Sequence, residues 1–309
     1  MSNSAAAQNV RARLPSWKRI FTKRPVALDY LHSLIRYRPF DAVKDLDPNY
    51  LGYLADTLQS GRFFIPAAHS LNDPWEAAPM LESAWWRKDK HLELAEFFAF
   101  VTPEHSTPEN FARLLRESRT FSSDQIIGRA QEALLAHFRN APILSLSDRA
   151  DNFLMWSYYG RGHNGYALVF NAQKLPFATG IRVKYSRRHP RILLVLRDLR
   201  GIAVDLLATK ARQWRHEREW RVIPPATPHK RLGFVDFRPA PPNGFHATVP
   251  MDSFIGVIVG DQLFRGPHSD ALMNLLRRHA TRFQFWLAEI HRRAYKIVLR
   301  PIRFETEPN

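Results

Sequence analysis

The sequence predicts an α+β fold, in which helices flank a mixed, mostly antiparallel central sheet. Segments typical of strands and of helices follow one another without the regular alternation that builds a doubly wound parallel sheet. Neither common glycine-rich nucleotide fingerprint occurs, because "GRGHNG" at 160–165 has the wrong spacing. The chain has 309 residues, of which 45% are hydrophobic, and that is enough to bury a sizeable core.

The first 80 residues predict an arm, two strands and a helix. Residues 1–28 contain six Lys or Arg and no acid, so we expect a flexible basic arm ahead of a single folded domain at 29–309. "LDYLHSLIRYRPF" joins an amphipathic stretch to a strand-like end that Pro39 terminates. "NYLGYLADTLQSGRFFIPAA" predicts a helix that ends at Gly61, followed by a short strand.

The middle of the chain predicts a helical insertion and then two strands around a short helix. Residues 81–139 alternate apolar and charged residues at helical spacing, with a break near Pro103 and Pro108. "APILSLSD" and "GYALVF" predict strands. Between them, "DNFLMWSYYG" predicts a helix that is capped by Asp151 or Asn152 and stops at its final glycine.

The last third predicts further strands and two helices. "GIRVKY" predicts a strand, residues 191–216 a helix, and "EWRVI" the strand after it. Proline-rich connections flank a short strand at "GFVDF". "FIGVIVG" predicts a buried strand, "SDALMNLLRRHA" an amphipathic helix with Ser269 or Asp270 as its N-cap, and "AYKIVLRPI" a last strand.

The positive charge and the lack of cysteine limit the function classes. The formal net charge of +16 favours an anionic partner such as nucleic acid, a nucleotide or a membrane surface. Membership of an arginine-rich proteome would also raise the charge, without any such partner. Without cysteine there is no disulfide, thiolate zinc site or thiol nucleophile. No apolar run approaches the roughly 18 residues of a membrane span, and no secretory signal is evident. We therefore expect a cytoplasmic protein.

Two glutamates lie two residues apart in "RQWRHEREWRVI". If the end of this stretch is a strand, Glu217, Glu219 and Arg221 share one face. Trp220 and Val222 then face the core. The charged face is either a solvated sheet surface held by ion pairs, or a carboxylate pair whose repulsion raises one pKa. Such a pair could bind ribose hydroxyls, polarise a nucleophile or ligate a metal. We then expect Glu219→Gln to cost little stability and Trp220→Ala to cost about 3–5 kcal/mol.

Other polar residues each have a structural and a functional interpretation. Ser145 and Ser147 share one face of a strand, so they either face solvent or supply hydroxyls to a pocket. His163 is either a general base or a loop histidine that suits a turn. Residues Asn72–Glu76 form either a capped turn with an acidic first helical turn, or part of a site.

Three blocks together resemble a bacterial family. "SLNDPWE", "LSLSDRADNFLMWSYYGRGHNGYALVF" and "TKARQWRHEREWRVI" follow a basic–aromatic–basic start at Arg36–Arg38. Their order resembles that of the family catalogued as domain of unknown function 2971, over roughly residues 30–303. This sequence has Trp75 where the family usually has Phe, and Gly160 where it often has Ala. The resemblance implies no particular reaction.

The order of an early arginine, a middle serine strand and a late E-x-E also resembles that of arginine–serine–glutamate ADP-ribosyltransferases. The resemblance implies a split sheet, and NAD as a substrate. It implies an arginine on the dinucleotide phosphates, a serine bracing the nicotinamide ribose, and a glutamate that bonds the ribose 2′-hydroxyl and stabilises the oxocarbenium-like transition state. Carried over, these are Arg36 or Arg38, Ser145 or Ser147, and Glu219.

The same resemblance implies supporting roles and an acceptor. Glu217 is the helper of the catalytic glutamate, Tyr158 or Trp156 stacks on nicotinamide, and His163 belongs to the cofactor site. The predicted supporting residues are Asn72, Asp73, Lys210 and Arg221. The acceptor is expected to be nucleic acid or protein, in a toxin or phage-defence setting, and the basic surface favours nucleic acid.

Two other functions stay open on the sequence. In a nuclease, Asp73, Glu217 and Glu219 would ligate Mg²⁺. Lys210 would then stabilise the transition-state charge, although no lysine directly follows E-x-E as in the common restriction-type arrangement. A non-enzymatic nucleic-acid-binding defence protein would account for the charge alone. The transferase hypothesis requires an arginine of the early pair, one of the two serines and Glu219 in a single cleft.

Overall fold

The computed structural model describes residues 28–73, 75–76, 80–81, 89–101, 107–192, 199–224 and 232–304. The predicted basic arm at 1–28 lies outside the described residues except for Leu28, and the connection at 225–231 lies outside them as well.

The elements are numbered in chain order. The strands are β1 (Ser33–Pro39), β2 (Arg62–Pro66), β3 (Met80–Leu81), β4 (Leu144–Ser147), β5 (Gly165–Asn171), β6 (Ile181–Arg182), β7 (Lys184–Ser186), β8 (Arg191–Ile192), β9 (Thr209–Ala211), β10 (Glu219–Val222), β11 (Asp236–Ala240), β12 (Gly244–Thr248), β13 (Phe254–Gly260), β14 (Gln284–Ile290) and β15 (Ile297–Ile302). The helices are α1 (Ala42–Leu46), α2 (Leu54–Ser60), α3 (Lys90–Val101), α4 (Pro108–Ser118), α5 (Ser123–Arg139), α6 (Phe153–Tyr158), α7 (Leu199–Leu207), α8 (Asp261–Arg265) and α9 (Ser269–Arg277).

A mixed sheet organises the molecule. Its eight strands lie in the order β15-β14-β13-β5-β1-β4-β10-β6, and every pairing is antiparallel except that of β13 with β14. A three-stranded antiparallel sheet, β11-β12-β2, and the parallel pairs β3-β8 and β7-β9 accompany it. The predicted α+β class with a mostly antiparallel mixed sheet is confirmed.

Apolar side chains bury both faces of this sheet. Leu34, Leu168 and Val257 belong to the largest apolar cluster. Their neighbours Ile35, Val169 and Ile258 belong to another. Because consecutive strand residues alternate between faces, the two clusters lie on opposite sides of the sheet. Burial on both faces explains why "FIGVIVG" is apolar throughout rather than alternating. A third cluster joins the helices α3, α5 and α7.

Local signals set two element ends where the sequence predicts them. Gly61 ends α2 with φ of 75°, and its N–H donates to the Thr57 carbonyl at 2.9 Å. Asn152 caps α6, since its side chain accepts hydrogen bonds from Leu154 N and Met155 N. The amide of Asn152 also donates to the His216 carbonyl. That bond joins α6 to the segment that carries the two glutamates.

Several element predictions are wrong in their extent. Of the helix predicted at 191–216, the described residues form an α-helix only in α7. Residues Arg191–Ile192 are β8, β9 pairs with β7, and Arg212–Glu217 is a 3-10 helix. "GIRVKY" divides into β6 and β7, which belong to different sheets. The strand predicted at "GFVDF" begins later, as β11. The N-cap of α9 is His268, not Ser269 or Asp270.

The central sheet is split between β1 and β4. These two strands pair at one position, Ile35 opposite Ser147, whereas β1 pairs with β5 and β4 pairs with β10 along their whole lengths. The Arg36 guanidinium bridges the split, donating to the Ser145 carbonyl at 3.3 Å and to the Phe64 carbonyl at 2.9 Å. A side chain therefore stands where a ladder hydrogen bond would otherwise form. Within the described ranges no helix combines the length and apolar character that a bilayer crossing requires.

Candidate active-site cleft

The split between β1 and β4 opens into a cleft of about 490 Å³. Sites for small molecules commonly have volumes of roughly 300–1,000 Å³. The predicted site residues that line the cleft are Arg36, Arg38, Asn72, Ser145, Ser147, Tyr158, Lys210, Glu217 and Glu219. An arginine of β1, a serine of β4 and Glu219 thus share one cleft, as the transferase hypothesis requires. Their chemical roles stay predictions.

A buried ammonium group holds three carboxylates together. Lys210 Nζ lies 2.7 Å from Glu217 Oε2 and 3.3 Å from Glu219 Oε2. It also lies 3.5 Å from Glu76 Oε1, and 5.0 Å from the centroid of the Trp214 ring. All four charged side chains are buried. The ammonium offsets the mutual repulsion of the acids.

Arg221 completes this buried network. Its Nε donates to Glu219 Oε1 at 2.8 Å and its Nη2 to Glu219 Oε2 at 3.1 Å. Nη2 also donates to Glu76, and Nη1 donates to the Leu207 carbonyl at 2.5 Å. Arg221 is fully buried and Glu219 is 3% exposed. The alternative of a solvated sheet surface is therefore wrong, because the end of α7 meets this face of β10.

The two glutamates converge by a turn rather than by strand alternation. Glu217 ends the 3-10 helix, and Arg218 follows with φ of 49°, in the left-handed region. The predicted placement of Glu217 on the strand is thus wrong, although its carboxylate still meets that of Glu219 at Lys210. The predicted burial of Trp220 is only partly right. Its ring is half-buried, and Nε1 donates to Asp148 Oδ2 at 3.3 Å.

The environment moves the pKa values of the two carboxyl groups apart. Burial acts to raise the pKa of Glu219, but Arg221 and Lys210 outweigh it and lower that pKa to about 2. Burial raises the pKa of Glu217 above its usual value against the opposing effect of Lys210, and Glu219 adds to the rise. Glu219 is therefore the fixed negative charge of the cleft, and Glu217 is the better proton acceptor.

The two serines of β4 have different partners. The Ser147 hydroxyl is fully buried, donates to the Glu217 carbonyl at 2.7 Å and accepts from Arg149 N at 3.3 Å. It therefore fastens the turn that carries the glutamates. The Ser145 side chain helps to lower the pKa of Glu219. Ser145 is thus the serine that acts on the predicted catalytic group.

Arginines line another part of the cleft. Arg36 is 8% exposed, and the hydrogen bonds recorded for it in the described chain go to backbone carbonyls, with Nε unpartnered. Burial and the neighbouring Arg38 lower the pKa of Arg36 to about 9. Arg38 is half-buried, and Arg161 also lines the cleft, with Nη1 3.3 Å from the Phe40 carbonyl. Among the described residues no carboxylate pairs with the Arg36 guanidinium, so a bound anion would supply the opposite charge.

Tyrosines connect α6 to the acids. The Tyr159 hydroxyl donates to Glu217 Oε1 at 2.6 Å and accepts from Asn72 Nδ2 at 3.0 Å. Tyr158 is exposed and lines the cleft, with its ring centroid 6.0 Å from that of His216. The Tyr158 ring is therefore available for stacking on a planar ligand.

Two residues predicted to contact the cofactor lie in the core instead. Trp156 is fully buried and its indole N–H donates to the Ala150 carbonyl at 2.8 Å. Its ring stacks on that of His163, which is also buried. Neither ring lines the cleft. The prediction fails because residues two apart on a helix point in nearly opposite directions. Since α6 exposes Tyr158, it buries Trp156.

The carboxylates predicted to bind Mg²⁺ are not gathered. Asp73 lines a second cavity, whereas Glu217 and Glu219 line the cleft. The point where the acids of the cleft converge is taken by the Lys210 ammonium. Among the described residues no group of three His, Cys, Asp or Glu side chains has metal-binding geometry. The donor set of the nuclease alternative is therefore not assembled in this part of the chain.

The sequence singled out two of the polar cleft residues not at all, and left a third, Glu76, open. Glu76 belongs to the "SLNDPWE" block, for which a capped turn and part of a site were both open, and its Oε2 is buried without a hydrogen-bond partner among the described residues. Tyr159 is adjacent to a predicted residue, and Arg161 stands between two glycines, which is a weak sign of a loop near a ligand. Motif membership was the one signal that pointed to Glu76.

Comparisons of the chain with protein-family models, with curated proteins and with solved structures found no match. The two family resemblances seen in the sequence therefore stay predictions.

Proposed function

We propose that the cleft binds NAD and transfers its ADP-ribose group to an acceptor, with Glu219 as the catalytic carboxylate. The observation that carries this proposal is that the buried Arg36 guanidinium, which has no carboxylate partner among the described residues, lies in the same cleft as the Glu219 carboxylate. Arg36 favours an anion, which the diphosphate of NAD supplies. Glu219 favours a hydrogen-bond donor or a developing positive charge, and the nicotinamide ribose offers both.

The setting of Glu219 suits a transition state with positive charge on the ribose. A pKa of about 2 keeps this carboxylate ionised at neutral pH. Lys210, Arg221 and Ser145 hold its orientation before any ligand arrives. Preorganised groups of this kind need no rearrangement as charge develops, and each contributes a few kcal/mol.

The acceptor proton has a candidate base. In the reaction, the bond between ribose C1′ and the nicotinamide nitrogen breaks, and its electron pair leaves with nicotinamide. C1′ bonds to a nucleophilic atom of the acceptor, and that atom loses a proton. Glu217 would take this proton, since burial raises its pKa. Tyr159 and Lys210 hold the Glu217 carboxylate in place.

Binding of NAD in the presence of EDTA tests the proposal. Stabilisation of the native state equals RT ln(1 + [L]/Kd), about 2.7 kcal/mol at a hundredfold excess over Kd. We expect Arg38→Gln to weaken binding at least about tenfold, because a charged hydrogen bond contributes about 1.5–3 kcal/mol. The matched control is Arg292→Gln, which removes an exposed arginine between β14 and β15. Ser145→Ala should lower nicotinamide release more than it lowers NAD binding.

Three outcomes separate the candidate functions. A folded protein that millimolar NAD does not stabilise would overturn the transferase proposal. Stabilisation by Mg²⁺ together with cleavage of nucleic acid would support the nuclease instead. A melting curve that neither NAD nor metal moves would leave a non-enzymatic nucleic-acid-binding protein.

A further inference from the structure

A second cavity adjoins the cleft. It has a volume of about 460 Å³. The residues that carry its chemistry are Asp73, Trp75, Arg187, Arg188, Lys210 and Trp214. Lys210 belongs to the walls of both cavities. A molecule in the second cavity therefore lies next to the side chain that holds Glu217 and Glu219.

The second cavity combines exposed cations with an accessible aromatic face. Arg187 and Arg188 are both exposed, and within the described chain no ion pair is recorded for either guanidinium. Trp75 is 64% exposed, and its ring meets His189 edge to face at 5.6 Å between centroids. Exposed indole surface beside unpaired arginines is the combination that binds single-stranded nucleic acid, through base stacking and phosphate contacts.

A buried carboxylate, that of Asp73, belongs to the wall of this cavity. Asp73 is 4% exposed; its Oδ1 accepts from Trp75 N at 3.0 Å, whereas Oδ2 has no partner among the described residues. Leaving such a group unsatisfied costs free energy, so a ligand that donates to it gains affinity. Carboxylates accept hydrogen bonds from the exocyclic amino group of cytosine in protein–nucleic acid complexes.

We propose that the second cavity is the acceptor subsite and binds a base of single-stranded nucleic acid that carries an exocyclic amino group. Trp75 stacks on the base, Asp73 accepts from its amino group, and Arg187 and Arg188 bind the flanking phosphates. The assignment as acceptor rests on the proposed function, but the binding of nucleic acid does not.

Two oligonucleotides that differ in one base type test the base contact. Oligodeoxycytidylate and oligodeoxythymidylate of about ten nucleotides have the same backbone and similar stacking area. Fluorescence anisotropy without NAD should give about tenfold tighter binding of the cytidylate, the effect of one hydrogen bond to a charged group. Asp73→Asn should abolish that difference, because an amide nitrogen at Oδ2 donates instead of accepting. Oligocytidylate in the RNA form shows whether DNA or RNA is preferred.

Matched variants test the stacking and phosphate contacts. Trp75→Ala should weaken the binding of both oligonucleotides about fivefold or more, since one base–aromatic stack contributes about 1–3 kcal/mol. Its control is Tyr295→Ala, a fully exposed aromatic far along the chain. The double variant Arg187→Gln/Arg188→Gln should reduce the salt slope of log K by about 1.4, for two phosphates of a single strand. Its control is Arg292→Gln/Arg293→Gln, another adjacent exposed pair.

The results can overturn this inference independently of NAD binding. If cytidylate and thymidylate bind equally to the wild-type protein, Asp73 does not read the base. If the control variants weaken oligonucleotide binding as much as the cavity variants do, the positive surface attracts nucleic acid without a specific subsite. If no oligonucleotide binds but an acidic peptide does, and the cavity variants abolish it, the acceptor is a protein. In each case the titration with NAD tests the proposed function separately.

Discussion

The substitution Glu219→Gln tests the buried charge network directly. In the folded protein the pKa of this carboxyl falls from its usual value of 4.5 to about 2, because Arg221 and Lys210 outweigh the effect of burial. Each unit of pKa shift corresponds to about 1.4 kcal/mol. The ionised carboxylate thus contributes about 3 kcal/mol to the free energy of unfolding at pH 7. Removing one partner from a buried ion network costs a similar amount.

The sign of the pH dependence follows from a folded pKa that lies below the unfolded one. The stabilisation is fully present above about pH 4.5 and is lost as the pH falls toward 2. The difference between wild-type protein and Glu219→Gln should therefore shrink from about 3 kcal/mol at pH 7 to about 1 kcal/mol at pH 3. Urea unfolding followed by tryptophan fluorescence measures both values.

A matched control uses an exposed glutamate. Glu117 lies on the exposed face of α4, so Glu117→Gln should change the free energy of unfolding by less than about 0.5 kcal/mol. A loss below about 1 kcal/mol for Glu219→Gln at pH 7 would refute the reasoning, and so would an equal loss at pH 3. From the sequence alone, Glu219→Gln was expected to change the free energy of unfolding little. The structure predicts a large loss instead, since Glu219 is buried between Lys210 and Arg221.

Two further predictions concern the core and the arm. Trp156→Ala should lower the free energy of unfolding by about 3–5 kcal/mol, and Trp220→Ala by less, because Trp156 is fully buried and Trp220 is half-buried. Urea unfolding measures both losses, and equal losses would contradict this difference in burial. Removal of residues 1–27 should flatten the salt dependence of oligonucleotide binding and leave the Kd for NAD unchanged, as titrations at several salt concentrations would show.

The sequence by itself determined the fold class and the elements whose signals are local. The apolar run "FIGVIVG" predicted β13 with its observed bounds, and Gly61 predicted the end of α2. Several residues of the motif blocks also line the cleft. These features depend on side-chain periodicity and on the backbone preferences of single residues, which neighbours in the chain are enough to specify.

Only the tertiary structure decided which partners each candidate residue has, and which side chains are buried. Ser147 is tied to Glu217 across 70 positions, and Arg221 meets Glu76 across 145. The split between β1 and β4 also arises from strands more than a hundred residues apart. Burial, ion pairing and pKa are set by the groups that pack against a side chain from distant segments, so strand alternation near Glu219 left open whether this face is a solvated surface or a buried network.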